Sequence, residues 1–109
     1  MANTVKVLGQ SKPTATTLTA LYTVPASTST VCSKLIVCNQ SAVATSFRVS
    51  VAIAGAVDTS AQYLYYDVVI AGNASFECMQ GATLATTDIV RVYATLATLS
   101  FVLFGAQVT

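Results

Sequence analysis

The chain has no histidine and no tryptophan, and only 8% of its residues carry a charge. Without histidine it lacks the usual general base, the commonest metal ligand, and any Ser-His or Cys-His nucleophile pair. Four carboxylates remain, Asp58, Asp67, Glu77 and Asp88. A glycoside hydrolase needs two carboxylates roughly 5–10 Å apart in a cleft, and a chain of 109 residues has little room for one. A hydrolase is therefore the remotest reading, and the chain is expected to be non-enzymatic and to carry no cofactor. Gly55, Gly72, Gly81 and Gly105 stand singly where turns need them, so no phosphate-cradling loop is present.

Long apolar runs are missing too. "SKLIVC" and "SFVLFGA" fall far short of the ~20 residues of a membrane helix, and no basic start precedes an apolar run. A soluble chain made inside the cell, with no membrane partner, is the expectation. Five Lys and Arg against four Asp and Glu leave a net charge of +1, and Lys6, Lys12, Lys34, Arg48 and Arg91 are scattered, so no nucleic-acid patch is expected. The three cysteines are an odd number without zinc-ligand spacing. Cys32 and Cys38 are expected on one face of a single strand, about 20 Å apart, beyond disulfide reach. All three thiols, Cys78 included, are read as packing residues. "NQS" and "NAS" match a glycosylation pattern, but Asn39 and Asn73 are expected to serve turns.

What the chain does have is alternation with period two. In "TSFRVSVAIAG", Phe47, Val49, Val51 and Ile53 fall on one face, and "DIVRVYAT" and "TLSFVLFG" repeat the pattern. Together with "TVKVLG", "TALYTV" and "VCSKLIVCN", they predict an all-β chain. The expected fold is a single-domain antiparallel β-sandwich or jelly-roll-like barrel of about eight short strands over residues 1–109. Residues 1–17 are expected to include an extended N-terminal arm or long loop, and "GATLATTD" invites one helical turn.

On the strand 63–70, alternation assigns Leu64, Tyr66, Val68 and Ile70 to the core and leaves Tyr63, Tyr65, Asp67 and Val69 outside. Two outward tyrosines beside a carboxylate suit a protein interface. Arg48 and Arg91 are each placed to pair with Asp67, Asp88 or Glu77, either as a solvated surface pair or across subunits. The remaining outward positions are largely Ser, Thr, Ala and Gln, which pack against another neutral surface without stranding charge. A near-zero net charge also promotes association. The candidate interface is Val5, Lys6, Arg48, Tyr63, Tyr65 and Asp67.

"TLTALYTVPAS", "LIVCNQSAVATSFRVSVAIAGA", "QYLYYDVVIAGNASF", "GATLATTDIVRVYA" and "LSFVLFGAQ", in this order, resemble a family of short structural proteins of tailed-bacteriophage virions. The resemblance spans nearly the whole chain. It implies a particle component located in the virion, with capsid decoration (cement) placed first and a neck, tail or baseplate appendage as the alternative. The implied partners are the chain itself, as a homo-oligomer and by expectation a trimer, and other virion proteins such as the major capsid protein. Binding of host-surface carbohydrate through exposed tyrosines is the competing function, weakened by the absence of tryptophan.

Overall fold

A computed structural model describes residues 3–109; the first two residues of the expected arm lie outside the described residues. The chain is a nested antiparallel ribbon. From the fold-back at residues 53–62 outward, β4 (Thr45–Ala52) pairs with β5 (Tyr63–Ile70), and β3 (Ser29–Asn39) pairs with β6 (Ser75–Cys78) and the short β7 (Thr83–Leu84). Next, β2 (Thr19–Thr23) pairs with β8 (Ile89–Ala94), and β1 (Asn3–Ser11) pairs with β9 (Leu99–Val108). The ribbon then rolls so that β9 also pairs β3 and β8 also pairs β4. Two antiparallel sheets result, β1-β9-β3-β6 with β7 beside β3, and β2-β8-β4-β5. This connectivity is that of a jelly roll, two packed sheets rather than a closed barrel.

Alternation drives the packing, as expected. Strand β8 buries Val90, Val92 and Ala94, and β9 buries Leu99, Phe101 and Leu103. Phe47 sits at the hub, with its ring against those of Tyr65, Phe76 and Phe101. Burying each such side chain stabilises the fold by about 1.5–3 kcal/mol. Where the sheets meet near β2, polar groups lock together: Gln107 Nε2 donates to the Tyr22 hydroxyl at 2.8 Å, and Tyr22 shares a hydrogen bond with Thr30 at 2.8 Å.

Loops are fixed by side chains chosen for turns. Asn39 is buried and staples two loops, donating from Nδ2 to the Val43 and Ala71 carbonyls and accepting from the Ser41 amide. Asn73 takes a left-handed φ of 55°, a conformation asparagine tolerates. At Gly72 an added Cβ would lie 2.1 Å from the Ala42 carbonyl oxygen, so only glycine admits the loop there.

Several expectations are corrected. Nine strands form among the described residues, because the expected helical turn is strand β7 followed by a tight turn, held where Asp88 accepts the Ala85 and Ala54 amides at 2.9 Å. Most of the expected arm is strand β1, laddered to β9 rather than free. Cys32 and Cys38 face opposite sides, since a bulge between Cys32 and Lys34 shifts the phase. Ile53, assigned to a buried strand face, is 75% exposed and starts the fold-back segment. That segment lies over the outer face of the second sheet, where Arg91 donates to the Ala56 carbonyl and the outward-facing Ser50 and Ala52 are fully buried.

The largest correction concerns β5. Phe47 pairs with Val68 and Val49 with Tyr65, so Arg48 stands opposite two residues, Tyr66 and Asp67. Asp67 adopts a left-handed φ of 52°, the extra residue of a β-bulge. The phase therefore reverses within the strand. Tyr65 turns into the core, whereas Leu64 and Tyr66 are 52% and 58% exposed, the opposite of the expected faces.

Candidate functional site

The bulge builds a cluster on the outer face of the second sheet. Tyr93 of β8 lies directly across from Arg48 of β4, and the bulged pair Tyr66 and Asp67 flanks Arg48 on the other side. The guanidinium carbon is 4.2 Å from the Tyr66 ring centre and 4.4 Å from that of Tyr93, placing the cation between two aromatic faces. Its Nε donates to Asp67 Oδ1 at 2.7 Å, and Nη2 donates to Oδ2 at 3.3 Å, a bidentate pair. This hydrogen bond raises the Arg48 pKa further, against an opposing desolvation. Tyr63 meets Tyr66 edge to face at 5.1 Å and donates its hydroxyl to Asp58 at 3.0 Å. Partial burial, then the Asp58 bond, raises the Tyr63 pKa.

Of the candidate interface residues, the fold thus brings Arg48, Tyr63 and Asp67 together. Tyr65 is removed from the outward set: its ring packs on Phe47 and Phe76, and its hydroxyl accepts the Met79 amide at 3.3 Å. Tyr66 and Tyr93 complete the cluster. Tyr93 was legible as sharing the Arg91 face of its strand; Tyr66 was not, because alternation alone carries no sign of a bulge. The Arg48–Asp67 pair closes within one chain. Arg91 meets backbone carbonyls, and Glu77 pairs with Lys34 at 3.1 Å.

Val5 and Lys6 lie on the other sheet. Its outer face is built of cross-strand rows: Val5–Ala106–Val31, then Val7–Phe104–Lys34, then Gln10–Val102–Ile36–Glu77. Val5 is 83% exposed, and Val7 and Val31 are each 45% exposed. The Lys34–Glu77 pair supplies the charge on these rows and is solvated on both sides, worth at most about 1 kcal/mol.

Two open grooves, of about 330 and 360 Å³, are lined by residues 10–12, 40 and 100–102, and by residues 44–46, 69, 95 and 96. Neither lining includes a carboxylate, so neither holds an acid–base pair of the glycosidase kind. Among the described residues, no group of three His, Cys, Asp or Glu side chains is placed to hold a metal ion. The cysteines are free thiols, and burial raises Cys32 to about 11 and Cys78 to about 12. No helix among the described residues is long and apolar enough to cross a membrane.

No family model, curated protein or solved structure matches the chain.

Proposed function

We propose that the chain is a non-enzymatic structural component of a tailed-bacteriophage virion, a capsid decoration protein that associates with copies of itself and seats on the shell beside the major capsid protein. The observation that carries this reading is the outer face of the β1-β9-β3 sheet, where the Val5–Ala106–Val31 row and its neighbours offer apolar surface around one solvated ion pair. Three strands ~4.8 Å apart, followed over six residues, span about 15 by 20 Å. The resulting ~300 Å² is well below the ~800 Å² per partner of a self-sufficient interface. A surface of that size suits contacts repeated many times over a symmetric particle, where multivalency supplies the strength one copy lacks. A net charge of +1 puts little repulsion between copies. The jelly roll is shared by viral capsid and lectin domains, so the fold accommodates this reading without selecting it.

Electron microscopy of intact particles tests the proposal. Density for the chain on the shell is expected, and Val31→Asp should leave the fold intact while reducing rebinding to stripped particles. A particle lacking the protein overturns it. Exposed Tyr66 beside Asp67 favours one other reading, an appendage that stacks on host-surface sugar. Hits on a glycan array would select it.

A further inference from the structure

Strand β1 is an edge strand, and its two halves differ. From Gly9 onward it lies against β2: a Cβ on Gly9 would sit 2.4 Å from the Leu21 carbonyl oxygen. Asn3, Thr4, Val5, Lys6 and Val7 reach past that cover and are exposed on both faces.

The ladder shows which backbone groups they leave open. The Cys32 amide donates to Ala82, and its carbonyl accepts from Gly81, so both point away from β9. Cys32 is opposite Gly105, and Gly105 is opposite Lys6. By the alternation of antiparallel ladders, Gly105 spends its backbone bonds on Lys6. The N–H and C=O groups of Asn3, Val5 and Val7 therefore point outward, and no partner for them occurs among the described residues. An open row of this kind is a template for another extended strand.

We infer that the occupant is β1 of a second copy, paired antiparallel about a two-fold axis centred on Val5. Outward-pointing residues must face outward-pointing residues, which allows centres at Thr4, Val5 or Lys6. Centring on Lys6 sets two ammonium groups directly opposite, and centring on Thr4 opposes, among the described residues, only Asn3 to Val5 beside Thr4 to Thr4. The Val5 register uses all five residues, opposing Asn3 to Val7, Val5 to Val5 and Thr4 to Lys6. Like charges then meet only diagonally, in water. The Val5–Ala106–Val31 row continues unbroken into the second copy, doubling the apolar face. This contact is two-fold, in place of the expected trimer. It rests on only the self-association part of the proposed function: absence from particles leaves it standing, and failure here leaves the shell contact standing.

The test is sedimentation velocity of the full chain from 10 µM to 1 mM, with amide exchange by NMR. A concentration-dependent dimer is expected, with the Val5 and Val7 amides gaining protection as it forms and Lys6 protected throughout. Val5→Pro removes an outward N–H without breaking the β9 ladder, so it should weaken the dimer at least tenfold with an unchanged circular dichroism spectrum. The register is read by Thr4, which is exposed and supports no core. Thr4→Glu should tighten the dimer severalfold by facing Lys6 of the second copy, and Thr4→Lys should weaken it. A monomer at 1 mM, a trimer, or Thr4→Glu and Thr4→Lys shifting association in the same direction would overturn the inference.

Discussion

Tyr65 and Tyr66 are chain neighbours with opposite surroundings, and truncating each to alanine measures the bulge between them and β4. Tyr65 has ring contacts with Phe47 and Phe76 and accepts the Met79 amide, which is itself buried. Tyr65→Ala removes two aromatic pairs of about 0.5–1.5 kcal/mol each. It also leaves a cavity and an unsatisfied N–H, for a total of about 3–5 kcal/mol. Tyr66 is 58% exposed and contributes one cation–π contact and one ring edge, so Tyr66→Ala should cost about 0.5–1.5 kcal/mol. The difference, about 2–4 kcal/mol, corresponds to a gap of 8 °C or more in melting midpoint for a domain near this size. Urea denaturation at fixed slope resolves it easily. Tyr65→Phe, which keeps the ring but leaves the Met79 amide without its acceptor, should fall between them at about 2 kcal/mol. Equal costs for the two alanine variants, or a larger cost at Tyr66, would mean that the strand continues in phase through Asp67 and that the faces described above are wrong.

Replacing Arg48 by lysine keeps the charge near Asp67 but gives up the flat stack between Tyr66 and Tyr93; a loss of about 0.5–1.5 kcal/mol in urea is expected, little changed by salt. The Ser50 hydroxyl is buried beneath the fold-back segment without a hydrogen-bond partner, so Ser50→Ala should be neutral or stabilising by up to about 1 kcal/mol in the same assay. Burial lifts Cys32 to about 11 and Cys78 to about 12 from an ordinary 9.0. The unfolded thiols thus ionise first, and the contribution of these groups is full below pH 9 and lost as pH rises toward 12. Melting midpoints followed across that window should fall less steeply in the double variant Cys32→Ala, Cys78→Ala.

The central strands were legible because their environment repeats: in β8 and β9 every second residue meets the opposite sheet, and the sequence alternates to match. Alternation fails where a strand gains a residue or a covering. Nothing in "YLYYDVV" marks Asp67 as the extra residue, since aspartate tolerates positive φ without requiring it. The outward-facing Ser50 and Ala52 read as solvent positions because the segment that buries them arrives from beyond the strand. The scarcity of charge made Arg48 and Asp67 legible as candidates for pairing, but left Arg48 open to Asp88 and Glu77 and Asp67 open to Arg91. Which tyrosines joined them depended on a bulge that only the paired strands reveal.

The nesting of the ribbon sets a timetable for synthesis. Strand β3 lies between β9 and the β6–β7 pair, and among the described residues β1 has no neighbour in its sheet except β9. While the ribosome is still making residues 99–108, an apolar β3 waits with one side bare and β1 waits unpaired. Closure therefore waits for the last strand to be made, and is slow in the manner of folds dominated by distant pairings. During that interval the nascent chain is most exposed to pairing with the wrong strand, and slower translation or a higher copy number makes such an encounter more frequent.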